Sequence, residues 1–208
     1  MKGKFISIEG IEGAGKSTQM SVISDYLNRH QIPHIITREP GGTPLAEEIR
    51  EILLKPRESG MSIDTELLLM FASRAEHLNT KILPALNVGQ WVISDRFVDA
   101  TFAYQGGGRG VAEQRIQALA DWTLQGLMPD LTLLFDLPVE TGQQRVRQRA
   151  AALDRFEQEK VEFFEKIRNC YLQRANQSPD RISVIDASQA LGSVETAVRA
   201  ALDKLRLS

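Results

Sequence analysis

Five short runs of consecutive apolar residues punctuate the chain: FISIE at 5–9, HIIT at 34–37, WVIS at 91–94, LTLLF at 131–135 and ISVI at 182–185. In the longer stretches between them, apolar residues fall three and four apart, as at Ile116, Leu119, Ala120, Thr123 and Leu127. A strand covered on both faces needs no polar side, and a strand parallel to its neighbour is reached through a crossover, usually a helix. The alternation predicts an α/β fold of the doubly wound kind, a five-stranded parallel sheet with helices on both faces. The glycine- and proline-rich stretches EPGGTP at 39–44, KPRESG at 55–60 and QGGGRG at 105–110 read as loops. With no repeat, low-complexity tract or linker in view, 1–208 reads as a single domain.

Composition narrows this only a little. The 208 residues, 42% of them hydrophobic, suffice for one substantial core. A formal charge of −2 argues against a chain built as a whole to bind nucleic acid. The one cysteine, Cys170, excludes an intramolecular disulfide. It shares a helical face with Phe163 and Ile167, which points to packing and a reducing, cytoplasmic setting. No signal peptide and no bilayer-length apolar run is expected, so no membrane partner is either.

The chemistry begins at the end of the first apolar run, with GIEGAGKST at 10–18. Gly10, Gly15, Lys16 and Ser17 fit G-x-x-x-x-G-K-[ST], between a predicted strand and a predicted helix. Glycines let backbone N–H groups turn inward around a polyphosphate. Lys16 can then reach its β and γ phosphates, Ser17 can ligate Mg²⁺, and the helix aims its positive end at the anion. The alternative is a glycine-rich turn that binds nothing. Such loops serve switches, motors and kinases alike, but the N-K-x-D and D-x-x-G patterns of regulatory GTPases do not occur here.

Arg38, Asp95 and Arg96 follow the second and third runs, at the sheet edge where ligands of open α/β sheets bind, and imply a second anion. A third basic stretch, RVRQRAAALDR from Arg145 to Arg155, is either a solvated helix face or a mobile lid over a triphosphate, at about 145–156. No aromatic residue is interleaved with its arginines, which disfavours nucleic acid. An acceptor that is itself a phosphomonoester is mostly a dianion at neutral pH and needs no strong base. That suits a chain whose histidines, His30, His34 and His77, are scattered and read as surface or packing residues.

The order GIEGAGKST, TREPGGT at 37–43, MFASR at 70–74, SDRF at 94–97, AYQGGGRG at 103–110 and LDRFEQE at 153–159 resembles that of the bacterial thymidylate kinases. The resemblance runs from residue 4 to about 190. It implies a nucleoside monophosphate kinase of the P-loop NTPase type with a short lid. Such an enzyme transfers the γ-phosphoryl group of Mg²⁺-ATP to dTMP, giving dTDP and ADP, and so supplies dTTP for DNA synthesis. By the same resemblance ATP lies along Gly10, Ile11, Glu12, Gly13, Ala14, Gly15, Lys16, Ser17, Thr18 and Arg145. Arg96 and Arg38 hold the acceptor phosphate, Asp95 stands with Ser17 by Mg²⁺, Glu12 places the acceptor sugar, and Arg149 is the catalytic lid arginine. Arg74, Thr101 and Gln105, supported by Arg50, read the base, and Tyr104 leaves little room for a 2′-hydroxyl. One position departs from the pattern. Many relatives carry a stacking Phe four residues before this arginine, whereas here Met70 holds that place and Phe71 lies three before it. The resemblance also implies a homodimer, for which the stripe from Ile116 to Leu127 is one candidate face; that stripe can equally cover the sheet. Two other readings stay open, a kinase acting on a nucleoside and a nucleotide-binding regulator with no small acceptor.

Overall fold

The structure, a computed structural model, describes residues 2–148 and 154–207. Each of the five apolar runs is a strand: β1 (Phe5–Glu9), β2 (His34–Arg38), β3 (Trp91–Asp95), β4 (Leu131–Asp136) and β5 (Ile182–Asp186). β2 to β5 each run on to one further charged residue, namely Arg38, Asp95, Asp136 and Asp186. Every pairing is parallel and the order is β2–β3–β1–β4–β5. The connections carry α1 (Lys16–Arg29), α2 (Pro44–Leu54), α3 (Ile63–His77), α4 (Leu83–Asn87), α5 (Val98–Thr101), α6 (Glu113–Leu124), α7 (Val139–Arg147), α8 (Val161–Gln177) and α9 (Leu191–Leu207). This is the doubly wound P-loop NTPase-type fold, with helices on both faces of the sheet.

Burial follows strand position. Central β1 is buried at every residue, whereas edge strands β2 and β5 expose Ile36 and Val184. Adjacent residues of the central strands feed two cores. Phe5 and Val92, partners in register, join Leu67, Phe71, Phe97 and Ile116 in one cluster. Ile6, Ile8 and Ile93 join Ile23, Leu27, Leu133, Ile167 and Leu202 in the other. β1 has β3 on one side and β4 on the other, so the loops leaving these strands part and open a crevice at their C-terminal ends.

Local chemistry sets the helix starts. The Thr43 side chain accepts from the Ala46 amide, with Pro44 in the first turn of α2, and the Ser62 side chain accepts from the Thr65 amide at the start of α3. α6 stops at Leu124 because Gln125 turns left-handed at φ 49°. Leu127, expected on the helical stripe, therefore lies beyond the helix, packed against its apolar cluster. Among the described residues no helix is long and apolar enough to cross a membrane.

QGGGRG departs from expectation. Phe102–Gly108 is a π-helical continuation of α5 rather than a loop, and it lies against α8. A Cβ on Gly107 would stand 2.8 Å from the Cys170 Cβ, and one on Gly108 would stand 2.5 Å from the Phe163 ring. These glycines permit close packing of two helices rather than a turn. Cys170 is partly buried there and its thiol donates to the Phe102 carbonyl at 3.3 Å; burial pushes the thiol pKa up, in keeping with a packing role.

Leu133→Ala, in the middle of β4, is expected to lower unfolding free energy by about 2–5 kcal/mol. Val184→Ala on exposed β5 should cost about 0.5 kcal/mol or less. Urea denaturation of both variants checks the difference.

Candidate active site

The loop after β1 takes its shape from three glycines with positive φ: Gly10 at 134°, Gly13 at 77° and Gly15 at 82°. A Cβ on Gly10 would come 2.4 Å from the Phe135 carbonyl oxygen, and one on Gly13 would come 2.2 Å from that of Gly142. The loop thus lies tightly on β4 and α7, and its outer rim delivers the amides of the first turn of α1, which have no intrahelical acceptors. Lys16 folds over the rim and donates to the carbonyls of Gly10 at 2.9 Å and Ile11 at 2.8 Å. Burial, reinforced by Arg96, lowers its pKa to about 8.

Arg96 leaves β3 in a left-handed conformation, φ 71°. Several bonds hold this uncommon geometry. The Arg96 amide donates to Ile8 O at 2.9 Å, its carbonyl accepts from Ser94 Oγ at 2.7 Å, and the next amide, Phe97, donates to Glu9 Oε1 at 2.7 Å. The guanidinium then reaches Gly10 O at 3.0 Å, Glu12 Oε1 at 2.5 Å and the Tyr104 hydroxyl at 2.8 Å. Tyr104 in turn donates to Glu12, 2.7 and 2.8 Å from its two oxygens. Burial opposes the Glu12 charge, but Arg96 and Lys16 outweigh it and hold the carboxyl below its ordinary range.

Glu9 lies under this corner, fully buried, and also accepts from Tyr171 Oη at 2.7 Å. Burial, and then the nearby Asp99, push its pKa up to about 8. This role is not legible from sequence, where Glu9 reads simply as the last residue of a strand.

The other end of the same cleft, about 450 Å³ in volume, is built around Arg74. Only 3% exposed, Arg74 donates through Nε to Glu39 at 2.7 Å and through Nη2 to Thr101 Oγ1 at 2.9 Å and Phe97 O at 3.2 Å. Its Nη1 is buried without a hydrogen-bond partner. Glu39 is braced from behind by His77 Nδ1 at 3.1 Å, and His77 Nε2 lies 2.6 Å from Thr37 Oγ1. His77 is therefore fully buried within a polar chain. Glu39 and His77 hold Arg74 in position, a role not legible from the sequence, in which His77 reads only as a surface or packing residue.

Most of the expected side chains meet in this one cleft. Glu12, Gly13, Gly15, Lys16, Ser17, Thr18, Asp95, Arg96 and Arg145 line it at the phosphate-loop end, and Arg38, Arg50, Met70, Arg74, Thr101, Tyr104 and Gln105 line the rest. Gly10, Ile11 and Ala14 do not line it. Of the two stacking candidates Met70 reaches the cleft, whereas Phe71 is buried in the core with its ring 4.9 Å from the Arg74 guanidinium.

The basic stretch divides. Arg145 reaches Gly13 O at 3.2 Å and Ala187 O at 3.4 Å from the last turn of α7. Arg155 is tied down, donating to Glu66 Oε2 at 2.6 Å and Leu53 O at 2.9 Å. Arg149 lies outside the described residues.

Among the described residues no cluster of three acidic, histidine or cysteine side chains forms a ready-made metal site. Asp95 nonetheless has Oδ1 buried without a hydrogen-bond partner, and Ser17 lines the same cleft. One carboxylate and one hydroxyl beside a phosphate loop suit Mg²⁺, which keeps several waters and takes its remaining ligands from substrate phosphates.

Residues 8–198 match the family model described as Thymidylate kinase. The chain is 54% identical over 201 residues to a thymidylate kinase of Alkalilimnicola ehrlichii, covering 97% of this chain and 93% of that one. It is 55% identical over 202 residues to one of Pseudomonas entomophila, covering 97% and 96%. A crystal structure of thymidylate kinase from Ehrlichia chaffeensis superposes with a TM-score of 0.78 at 32% identity, covering 98% of this chain and 99% of that one.

A carboxyl whose pKa rises on folding from 4.5 to about 8 favours the folded state fully below the lower value and loses that contribution as pH climbs through the upper one. Between about pH 5 and 8 the Tm of the wild-type protein should therefore fall more steeply than that of Glu9→Gln, whose amide keeps an acceptor for the Phe97 amide but does not titrate. Thermal melts across that range check the difference in slope.

Proposed function

The chain belongs to the thymidylate kinase family, and on that premise we propose that it transfers the γ-phosphoryl group of ATP to dTMP, giving dTDP and ADP, in the cleft between the loops after β1 and β3. The observation that carries this reading is one cavity with two chemically distinct ends. A glycine loop with Lys16 stands at one end, and at the other is a buried arginine with a free Nη1.

ATP phosphates lie on the rim of the loop and on the amides of the first turn of α1, with Lys16 turned from its carbonyl partners to the β and γ oxygens. Ser17 and Asp95 would hold Mg²⁺, which would offset phosphate charge there when bound. The acceptor phosphate meets Arg96, already fixed by Glu12 and Tyr104, with Arg38 and Arg50 nearby. Two unit charges 4 Å apart interact by about 4 kcal/mol at an effective dielectric of 20, so bringing two anionic nucleotides together calls for cations placed beforehand. An oxygen of the dianionic acceptor phosphate attacks the γ phosphorus as the bond from that phosphorus to the β–γ bridging oxygen breaks and ADP leaves, and no side chain has to take a proton from the acceptor. Arg149, on its resemblance to the lid arginine, supplies charge to the group in transit. The Arg74 Nη1 donates to the O4 of thymine, Met70 covers the face of the base, and the Tyr104 ring closes the sugar site.

The whole chain acts as one domain. A groove between α3 and α6, lined by exposed Leu68 and Trp122 with Phe71 and Leu119, supports a homodimer through this face. Nucleotide substrates and a free thiol fit a reducing cytoplasm, where the product feeds dTTP supply.

A coupled ADP-release assay should show dTMP preferred over dUMP, dCMP and AMP; preference for any other acceptor overturns the reading. Because dUMP differs by one methyl, its turnover is expected to fall only about 10- to 200-fold. Lys16→Ala and Arg96→Ala should each lower kcat by about 10²–10³. Arg149→Ala should lower kcat by about 10³ or more and leave the dTMP Kd nearly unchanged, as single-turnover kinetics and dTMP titration will show.

A further inference from the structure

Glu66, in the first turn of α3, is 1% exposed and does not line the cleft. Its Oε1 accepts from Gln105 Nε2 at 2.7 Å, its Oε2 accepts from Arg155 Nη1 at 2.6 Å, and Arg109 Nε stands 3.4 Å from Oε1. Gln105 is equally buried, but it does line the cleft, beside Thr101 and Arg74. A carboxamide is nearly symmetric in shape and asymmetric in chemistry, since one branch donates and the other accepts. Glu66, between two guanidiniums, offers acceptors only. The branch of Gln105 turned towards it must therefore be the NH₂, which leaves Oε1 as the branch available to the cleft.

We propose that Glu66 is a specificity-setting positioning residue: it locks the Gln105 carboxamide with its carbonyl towards the acceptor base. The cleft then takes a pyrimidine that presents N–H at ring position 3 beside a carbonyl at position 4, and rejects one that presents a lone pair and an amino group there. The inference rests on the dTMP reading above and adds to it a group that never touches the base. A 4-aminopyrimidine sets its N3 lone pair against Oε1 and its amino group against the Arg74 Nη1, so acceptor meets acceptor and donor meets donor. Rotating Gln105 by half a turn relieves the first clash in the cleft, but it drives Oε1 against the Glu66 carboxylate in a buried site, where unpaired polar groups are costly. The discrimination thus depends on a residue one contact removed from the substrate.

The test compares kcat/KM for dTMP with that for 5-methyl-dCMP, which keeps the sugar, the phosphate and the methyl group. Glu66→Gln retains the size of the side chain, but its own amide can either accept or donate, which frees Gln105 to rotate. The dTMP-to-5-methyl-dCMP ratio should fall about tenfold or more, chiefly through a lower KM for the methylcytosine nucleotide. Arg155→Met breaks an ion pair to the same carboxylate but leaves it an acceptor, and should hold the ratio within about threefold of wild type; Glu66→Asp should do the same. Equal losses on both acceptors in Glu66→Gln, or an equal shift of the ratio in Arg155→Met, would overturn the proposal. If Glu66→Gln fails to fold, the wild-type complex with dTMP decides by NMR. NOEs from the Gln105 NH₂ protons to the Glu66 methylenes support the lock, and NOEs from them to the thymine N3 proton refute it. Absence of dTMP turnover by the wild-type enzyme would instead overturn the functional reading itself.

Discussion

The ion pair between Arg96 and Glu12 joins the two loops that must face each other for a phosphoryl group to pass between nucleotides. Its members lie 84 positions apart in sequence, one at the end of β3 and the other in the phosphate loop, and they meet at 2.5 Å in a largely buried place. Desolvating two charges costs several kcal/mol, and such a pair persists only where further hydrogen bonds complete it. Tyr104 and the Gly10 carbonyl supply those bonds, and Glu9 clamps the left-handed turn from below. The direction of the guanidinium is thereby settled by the fold itself, which is the condition for electrostatic stabilisation without reorganisation.

The same arrangement recurs around the cleft. Arg74 is held from behind by Glu39 and His77, Arg38 by Glu47, Arg145 by two carbonyls and Lys16 by two more. Each cation has a neutral or anionic anchor, which explains how a chain of formal charge −2 can bind two polyanions. The excess of acid in the composition and the crowd of cations in the cleft are not in conflict, because several of the acids serve as anchors.

The parts legible in sequence were those whose signal is local. The strands showed themselves because buried parallel strands need no polar face, and the phosphate loop because its glycines and lysine sit within a few residues. Glu9, Glu39 and Glu66 were not legible as anchors, since the partners that explain them, Tyr171, Arg74 and Arg155, stand 162, 35 and 89 positions away. Arg155 falls among the lid arginines by proximity in sequence, although its side chain is pinned to Glu66. The neighbours of Arg74 show a finer limit. Positions three and four before it both share its helical side, so spacing alone does not separate Met70 from Phe71. The structure separates them by depth, with Met70 on the cleft and Phe71 in the core beneath the guanidinium.

The π-helical stretch Phe102–Gly108 connects the two ends of the site. The π-helical turn is wider than an α-helical one, and Thr101, Tyr104 and Gln105 all reach the cleft wall from this one short stretch. Tyr104 faces the Glu12–Arg96 pair and Gln105 faces Glu66, so consecutive residues engage the two ends of the cleft. A wide turn holds its register only if something fixes it, and here the contacts of Gly107 and Gly108 with Cys170 and Phe163 of α8 leave no room to slide. α8 also carries Tyr171, the partner of Glu9. Packing on this one helix therefore sets the spacing between Tyr104, at the Glu12–Arg96 pair, and Gln105, at Glu66, and through Glu9 it braces the turn that aims Arg96 as well.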